Sequence, residues 1–291
     1  MLTPSQAANR RRRPPASPKQ QYQEWLLRRI EDYKNQIPRG ELLKLGDEAA
    51  GELSGGADGQ QFLLTEVLMA DTVDRLIAKR LRLMSYSRWR QKFLKLRLAQ
   101  KEPNHWGIDA GHAVAVILPR IEAGDQILAV GPAAEAAAYL LLAHDAAVTF
   151  LDEELGSVER VETKVGAEAL GTEFTAYVTQ LGEWLPPLPQ LVDLAIIDVS
   201  ALSLIPYARR RSLLQQVQSV TRPGGVHALV PGEAPSAPEG FLSHYPDWER
   251  TAMPAAKRGS KAHGRGLLVT CSAAAESAAE DVHQVESARG A

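Results

Sequence analysis

The sequence predicts an α/β protein in which an all-helical N-terminal segment precedes a doubly wound, mostly parallel sheet. Two observations predict this fold class. Over residues 106–271, short and almost wholly apolar runs alternate with helical patterns, as in parallel sheets that are covered on both faces. Residues 21–105 show helical spacing alone. The chain has 291 residues, of which 45% are hydrophobic, so it is long enough to bury a core in one or two domains.

Composition divides the chain into four segments. Residues 1–20 are rich in Arg, Pro, Ser and Gln, which predicts a disordered tail. Residues 21–105 are expected to form the helical segment, and residues 106–271 the sheet domain. Residues 272–291 are rich in Ala, Ser and Glu and are expected to be loose.

Within the helical segment, the apolar spacing predicts a first helix over Tyr22–Tyr33, which Pro38 and Gly40 end. A short helix is expected over Glu41–Leu53. Because Phe62–Gln100 contains no Gly or Pro, it predicts one or two long helices.

In the sheet domain, Asp109 is a candidate cap for a helix that Pro119 closes. Further helices are expected at about 134–143, 153–170 and 207–220. The apolar runs predict strands at Ile127–Gly131, Val148–Asp152, Phe174–Val178, Leu191–Val199, Val226–Val230, Trp248–Ala252 and Gly266–Cys271.

The first two strands carry a spacing typical of nucleotide-binding sheets. Gly131 ends the first strand, and the acid Asp152 ends the second, 21 residues later. Such an acid can bind ribose hydroxyls, and the first turn then faces a cofactor. The turn from Gly131 to Glu135 is not a G-x-G-x-x-G sequence, which argues against a nicotinamide-dependent oxidoreductase.

Six pieces in order make residues 106–271 resemble the class I S-adenosylmethionine-dependent methyltransferases, whose sheet has seven strands in a Rossmann-like arrangement. The first three pieces are the two strands above and the run ending at Asp198. The fourth, Arg222-Pro223-Gly224-Gly225-Val226, resembles the family's turn before the fifth strand. The last two are Tyr245–Glu249 and Gly266–Val269, which resemble the antiparallel sixth and seventh strands.

The resemblance implies S-adenosylmethionine as cofactor and assigns candidate site residues. Asp152, with its neighbour Glu153, would take the ribose hydroxyls. Gln180, with its neighbour Leu181, would meet the adenine amine through its carbonyl oxygen. Asp198 lies where the family places groups near the transferred methyl, and it is the candidate catalytic residue.

The glycine turn departs from the family pattern. Gly131 and Ala133 are the candidate cofactor contacts there, but Ala133 stands where the family has a second glycine, and Glu135 replaces the third. The acid that usually ends the first strand is Ala129 here. Losing a hydrogen bond to a charged group weakens binding by about 1.5–3 kcal/mol.

Two functions follow from this pattern. The first is methyl transfer from S-adenosylmethionine to an unidentified acceptor, a reaction that needs alignment more than a nucleophilic triad. The second is a catalytically weak or inactive methyltransferase-like fold that serves as a binding or scaffold protein, as the altered turn suggests. Asp198-Val199-Ser200-Ala201 does not match the N-P-P-Y or D-P-P-Y motif of nucleic-acid amino methylation.

A basic run is the other feature. Arg75–Lys101 holds ten Lys and Arg without one Asp or Glu, and Tyr86, Trp89 and Phe93 are interleaved. Such a run can bind nucleic acid through phosphate contacts and base stacking. The interpretation we favour is a surface helix whose apolar face packs on the core under Arg and Lys stems. A third interpretation is electrostatic docking on the rest of the chain, since residues 1–105 hold 20 Lys and Arg against 12 acids and residues 106–291 hold 13 against 23.

Other site types have no sequence support. The seven His residues are scattered without metal-ligand spacing, so no metal is expected. No run is apolar and long enough to span a membrane. Because the single Cys271 can form no internal disulfide, a reducing, cytoplasmic location is expected.

Overall fold

The computed structural model describes residues 17–54, 62–170, 173–232, 237–251 and 266–271, with the backbone alone at 54 and 62–65. The chain divides into two compact units, one ending at Leu96 and the other starting at Arg97. The sequence pattern changes at about residue 105, eight or nine residues later. No helix among the described residues is long and apolar enough to cross a membrane.

The first unit is helical, as the sequence predicts. Its helices are α1 (Pro18–Gln36), α2 (Arg39–Ser54), α3 (Phe62–Arg80) and α4 (Tyr86–Gln100), the last of which continues into the second unit. The pattern over Phe62–Gln100 therefore forms two helices with a turn between them. A small core holds the unit together, and it consists of Ile30, Leu45, Ala49, Leu76 and Ile77.

The start of α1 corrects the predicted disordered tail. The Ser17 hydroxyl accepts a hydrogen bond from the Gln20 N–H at 3.3 Å, and the Gln20 side chain accepts the Ser17 N–H at 2.8 Å. This reciprocal capping box satisfies two backbone donors, and Pro18 is well suited to the first helical turn. The prediction of disorder is therefore wrong for residues 17–20, and residues 1–16 lie outside the described part of the chain.

The second unit is the expected α/β layer structure. Its helices are α5 (Ala113–Ile117), α6 (Glu135–Ala143), α7 (Leu155–Ala167), α8 (Val199–Leu204) and α9 (Tyr207–Ser219). The cap of α5 differs from the prediction: His112 Nδ1 accepts the Val114 N–H at 3.2 Å, and the helix starts four residues after Asp109. Burial lowers the pKa of His112, which keeps this ring nitrogen free to accept.

The sheet has seven strands in the order β3-β2-β1-β4-β5-β7-β6. Strands β1 to β5 are parallel, and β7 runs antiparallel between β5 and β6. The bounds are β1 (Gln126–Val130), β2 (Ala147–Asp152), β3 (Phe174–Val178), β4 (Val192–Asp198), β5 (Thr221–Val230), β6 (Trp248–Thr251) and β7 (Leu267–Cys271). The doubly wound, mostly parallel fold is thus confirmed.

Two hydrophobic cores cover the two faces of the sheet. Alternate residues of β1 point to opposite sides: Ile127 and Ala129 lie in one core, and Leu128 and Val130 lie in the other. The first core contains α5, α6 and part of α7, whereas the second contains α8 and α9. Burial on both faces explains why the central strands are nearly all apolar in sequence.

The fifth strand starts earlier than the sequence predicts. The structure places Pro223 and Gly224 inside β5, and Gly224 has a positive φ of 76°. The register with β4 shifts between Val192 and Leu194, which accommodates the extra residues as a bulge. The expected turn is therefore an irregularity within the strand.

Candidate functional site

The candidate site lies where the strand order reverses. The chain runs from β1 outward through β2 to β3 and then returns to β4 on the other side of β1. Val130 pairs with Leu151 on one side and with Ile197 on the other, so the carboxyl ends of β1, β2 and β4 meet. Ligands of open α/β sheets bind at such a switch point.

Gly131 makes the turn after β1 possible. Its φ is +84°, a conformation that side chains rarely adopt. A Cβ at this position would lie 2.7 Å from the Cβ of Asp198 and 3.1 Å from that of Ala201. Glycine is therefore needed here both for the backbone conformation and for the close approach of β4.

The Asp198 carboxylate accepts three backbone N–H groups. Its Oδ1 accepts the N–H groups of Ser200 at 2.8 Å and Ala201 at 3.2 Å, which caps α8. Its Oδ2 accepts the Ala133 N–H at 3.0 Å, and the side chain is buried. The carboxylate therefore fixes the turn after β1 to the end of β4. The predicted catalytic role stays a prediction.

One carboxylate oxygen of Asp152 has no hydrogen-bond donor among the described residues. Its Oδ1 accepts the Glu154 N–H at 3.0 Å, and its backbone carbonyl accepts the Thr179 N–H at 2.9 Å. Oδ2 is buried and has no hydrogen-bond partner among the described residues. A buried carboxylate oxygen without a donor loses about 1–3 kcal/mol relative to a satisfied one. A ligand hydroxyl that reached Oδ2, by displacing the protein atoms that shield it, would recover that free energy.

Hydrogen bonds and an ion pair at Glu153 and Leu181 connect the ends of β2 and β3 to α9. The Leu181 N–H donates to Glu153 Oε1 at 2.9 Å. The Leu181 carbonyl accepts the Nε–H of Arg209 at 3.0 Å. The Arg209 guanidinium also pairs with Glu153. Gly182, with φ +86°, packs directly against the backbone of Arg209. The loop after β3 is thereby held in place beside Asp152.

Gln180 lies at the exposed start of this loop. Its carbonyl accepts the Glu183 N–H at 3.1 Å, which forms a turn that the buried Leu181 anchors. The Gln180 side chain is exposed at the carboxyl edge of the sheet. The structure thus brings Asp152, Glu153 and Leu181 together and leaves the Gln180 amide facing solvent beside them.

The Glu135 side chain bonds to residues of the neighbouring helix α7. It pairs with Arg160 and accepts the Ser157 hydroxyl at 3.2 Å, so it joins α6 to α7. Burial, with the charge of Glu135 nearby, raises the pKa of Tyr139 to about 12. The position where the family has its third glycine therefore serves packing between helices.

Sequence reasoning missed the contacts of two residues at the site. Ser200 accepts the Gly232 N–H through its hydroxyl at 2.8 Å, which ties the loop after β5 to α8. Arg209 is the other, and it lies 56 residues from Glu153. The Arg209-Arg210-Arg211 run was the signal available for it. Within the described residues, no three His, Cys, Asp or Glu side chains cluster as metal ligands.

Comparison with known proteins gives no match to a protein-family model, and no curated protein matches in sequence. Solved structures do match. The N-methyltransferase NodS from Bradyrhizobium japonicum is 14% identical, with 62% of this chain and 93% of that chain covered and a TM-score of 0.41. A TehB-like SAM-dependent methyltransferase from Corynebacterium glutamicum is 15% identical, covering 64% and 97%, with a TM-score of 0.44. A SAM-dependent methyltransferase from Aquifex aeolicus is 15% identical, covering 62% and 97%, with a TM-score of 0.43.

The strand order supports a fold assignment by itself. The order reversal beside β1 and an antiparallel seventh strand agree with what the resemblance implies. The expectation of an antiparallel sixth strand is wrong, because β7 lies between β5 and β6 and is antiparallel to both, so β6 runs in the same direction as β1 to β5. On this strand order and on the order of its motifs, the second unit has the fold of the class I S-adenosylmethionine-dependent methyltransferases.

Proposed function

We propose that the second unit binds S-adenosylmethionine at the carboxyl ends of β1 and β2 and transfers its methyl group to an acceptor. The observation that carries this proposal is the unpartnered Oδ2 of Asp152 at the switch point of the sheet. Ribose hydroxyls are donors, and a carboxylate oxygen is the acceptor that they require. The bound cofactor supplies an already activated methyl group on its sulfonium.

The residues around Asp152 fit the rest of the cofactor. The exposed amide of Gln180 offers a carbonyl oxygen to the adenine amine, beside the apolar Leu181. Glu153 holds that loop in position through the Leu181 N–H. On the other side, Gly131 lets the turn after β1 approach Asp198 and Ala201 closely at the same edge of the sheet.

The chain's own task in the reaction is positioning. Direct displacement at a methyl group needs the acceptor in line with the bond that breaks, and holding both reactants in that geometry can remove up to about 7–11 kcal/mol of the barrier. Asp198 contributes by fixing the turn at Ala133 and the start of α8, which border the same edge. The acceptor would enter over α8, which follows β4, and over residues 231–232, which follow β5.

Titration calorimetry tests the proposal. We expect the full chain to bind S-adenosylmethionine and S-adenosylhomocysteine, and Asp152→Ala and Asp152→Asn to weaken both by about tenfold or more, because a charged hydrogen bond contributes about 1.5–3 kcal/mol. Asp109→Ala is the matched control, since Asp109 is exposed in the same unit. An absence of binding at millimolar ligand, or equal binding by all variants, would remove the proposal.

A second function is favoured by a different observation. The Ala133 N–H, in the turn after β1, already donates to Asp198 Oδ2 at 3.0 Å. The side chain of Ala133 also adds a methyl group to this turn. A turn satisfied within the protein suits a methyltransferase-like fold that serves as a binding or scaffold module. That function predicts no measurable affinity for either cofactor form, with a cooperative unfolding transition showing that the chain is folded.

A further inference from the structure

The first unit contains an open groove that the methyltransferase-like fold does not explain. The groove encloses about 560 Å³, and it lies between α1, the start of α4 and the turn that joins α3 to α4. Its volume is in the range of sites for small ligands or chain segments. All of its lining residues lie within the first unit.

One face of each helix builds the groove. On α1 the lining positions Trp25, Arg29 and Tyr33 recur every four residues, so they share one side of the helix. On α4 the lining positions Arg88 and Lys92 do the same. The Tyr22 hydroxyl of α1 donates to the Met84 carbonyl at 3.0 Å, which joins α1 to the turn before α4.

The groove is strongly positive. Four cationic side chains line it, Arg29, Arg82, Arg88 and Lys92, whereas Asp32 is the acid among the lining residues. None of the four cations forms an ion pair within the part of the chain that the structure describes. Other bases of the Arg75–Lys101 run differ: Arg75 pairs with Glu52, and Arg97 pairs with Asp145 at 2.9 Å.

Aromatic rings accompany the charge. Trp25 lines the groove and lies against Trp89, whose ring stacks on Phe93 at a centroid distance of 4.7 Å. Trp89 is buried, whereas Leu94, Leu96 and Leu98 of the same helix are exposed, so the inward packing favoured by the sequence is seen at Trp89 and not along the whole apolar face. The cations on the other face of α4 remain exposed, and the two interpretations of the basic run are therefore compatible.

Backbone strain is a separate observation at the same place. Arg82 has φ +51° at the end of α3. The Leu83 N–H bonds to the Ala78 carbonyl at 3.0 Å and the Arg82 N–H to that of Lys79 at 3.1 Å, which is the Schellman motif. Glycine is the usual residue at this position, and an Arg there is disfavoured by about 1–2 kcal/mol. The chain therefore retains a long cation at the groove despite a conformational penalty.

We propose that this groove binds a single strand of nucleic acid, with Arg29, Arg82, Arg88 and Lys92 on the phosphates and a base against Trp25. Non-sequence-specific sites for single strands combine a positive groove with stacking rings in this way. A recessed groove admits an extended strand but not a flat lipid surface, which favours nucleic acid over a membrane. The proposal does not depend on cofactor binding in the second unit.

Fluorescence anisotropy with a labelled, unstructured RNA of about 12 nucleotides tests it, on the full chain without cofactor. We expect affinity to fall steeply between about 50 and 200 mM salt. Arg88→Gln with Lys92→Gln should weaken binding about tenfold at low salt and reduce the salt slope by about 1.4, since each phosphate contact on a single strand contributes about 0.7. Arg29→Gln, which removes the cation that α1 contributes to the groove, should also weaken RNA binding.

The matched control lies on the same helix. Arg90→Gln with Lys95→Gln removes the same charge from exposed positions that do not line the groove. Both double variants keep the Arg10–Arg13 run, so a difference between them reports the groove alone. Equal weakening in the two double variants would overturn the proposal, because the net positive charge of α4 alone would then explain RNA binding.

Competition experiments separate other anions from a nucleic acid strand. We expect unlabelled RNA of the same sequence to displace the probe, and a duplex of equal length to compete less well because its bases are not free to stack. Equal competition by the duplex or by poly-glutamate would overturn the single-strand proposal. So would binding to anionic phospholipid vesicles with no binding to the RNA at low salt.

Discussion

The carboxylate of Asp198 accepts the backbone N–H of Ala133 at 3.0 Å, across 65 residues of sequence. The same side chain caps α8 through two further N–H groups. One buried carboxylate therefore sets the position of both the turn after β1 and the helix after β4. This arrangement fixes the rim of the candidate site before any ligand is present.

Removing that carboxylate should destabilise the second unit. Asp198→Ala leaves the N–H groups of Ser200, Ala201 and Ala133 without their acceptor, and we expect a loss of about 2–4 kcal/mol. Asp198→Asn keeps an oxygen for α8 but turns an NH₂ group toward Ala133, so its loss should be about half as large. Urea unfolding measures both. If Asp198→Ala unfolded at the same denaturant concentration as Asp109→Ala, the bracing role would be wrong.

Gly131 should tolerate no side chain. In Gly131→Ala the new methyl would lie 2.7 Å from the Asp198 Cβ, in addition to the unfavourable φ of +84°. We expect a loss of more than about 2 kcal/mol in the free energy of unfolding. Gly107→Ala is the matched control, because Gly107 has φ +74° with nothing within 4 Å of the position of a Cβ. Similar losses in the two variants would mean that crowding by Asp198 contributes nothing.

The strands that form the site could be predicted because each signal is local. The runs ending at Gly131, Asp152 and Asp198 are apolar because both faces of the sheet are covered, and burial imposes this pattern residue by residue. The parallel order follows from the alternation of strands and helices. The sequence therefore places the carboxyl ends at one edge of the sheet.

The contacts at that edge could not be predicted, because they join residues far apart in the chain. Asp198 has the same sequence signature whether it is a catalytic base or a helix cap that holds Ala133. The pairing of Glu153 with Arg209 spans 56 residues, and no periodicity encodes it. The left-handed Arg82 was equally hidden, since the expected signal for such a helix end is a glycine.

Changing the methyl group at Ala133 should alter cofactor affinity. If backbone approaches the cofactor at this turn, Ala133→Gly should strengthen binding of S-adenosylmethionine by about threefold to tenfold, up to about 1.4 kcal/mol. Ala133→Val should weaken it, so the two variants should shift the dissociation constant in opposite directions. Calorimetry provides the values, and unchanged affinity in both would place the cofactor away from this turn.

A buried histidine should make stability depend on pH. His227 lies between the Thr221 hydroxyl, 2.8 Å from Nε2, and the Tyr245 hydroxyl, 3.0 Å from Nδ1, with the Trp248 ring at 4.4 Å. Burial lowers the pKa of His227 from 6.5 to about 3. Above pH 6.5 the ring is neutral in both states. As the pH falls below that value, only the unfolded chain gains the proton, so stability falls.

The expected slope is about 1.4 kcal/mol per pH unit between about pH 6 and 3.5, corresponding to one proton. His227→Gln should lose this slope while His105→Gln, at an exposed histidine, should keep it. Unfolding in urea across the pH range measures the slope. A His227 ring signal in NMR that shifted near pH 6.5 in the folded protein would contradict the buried neutral state.

Arg82→Gly should separate stability from binding in the first unit. Glycine adopts the φ of +51° at the end of α3 without steric conflict, so we expect this variant to be more stable by about 0.5–1 kcal/mol. The same change removes one of the four cations of the groove, and RNA affinity should fall by severalfold with a salt slope lower by about 0.7. Arg82→Gln is the comparison, because it removes the charge and keeps the strained backbone: it should weaken binding equally but gain no stability. Urea unfolding and anisotropy on the same samples provide both values. A more stable Arg82→Gly that bound RNA as tightly as the unaltered chain would show that this cation does not contact the strand.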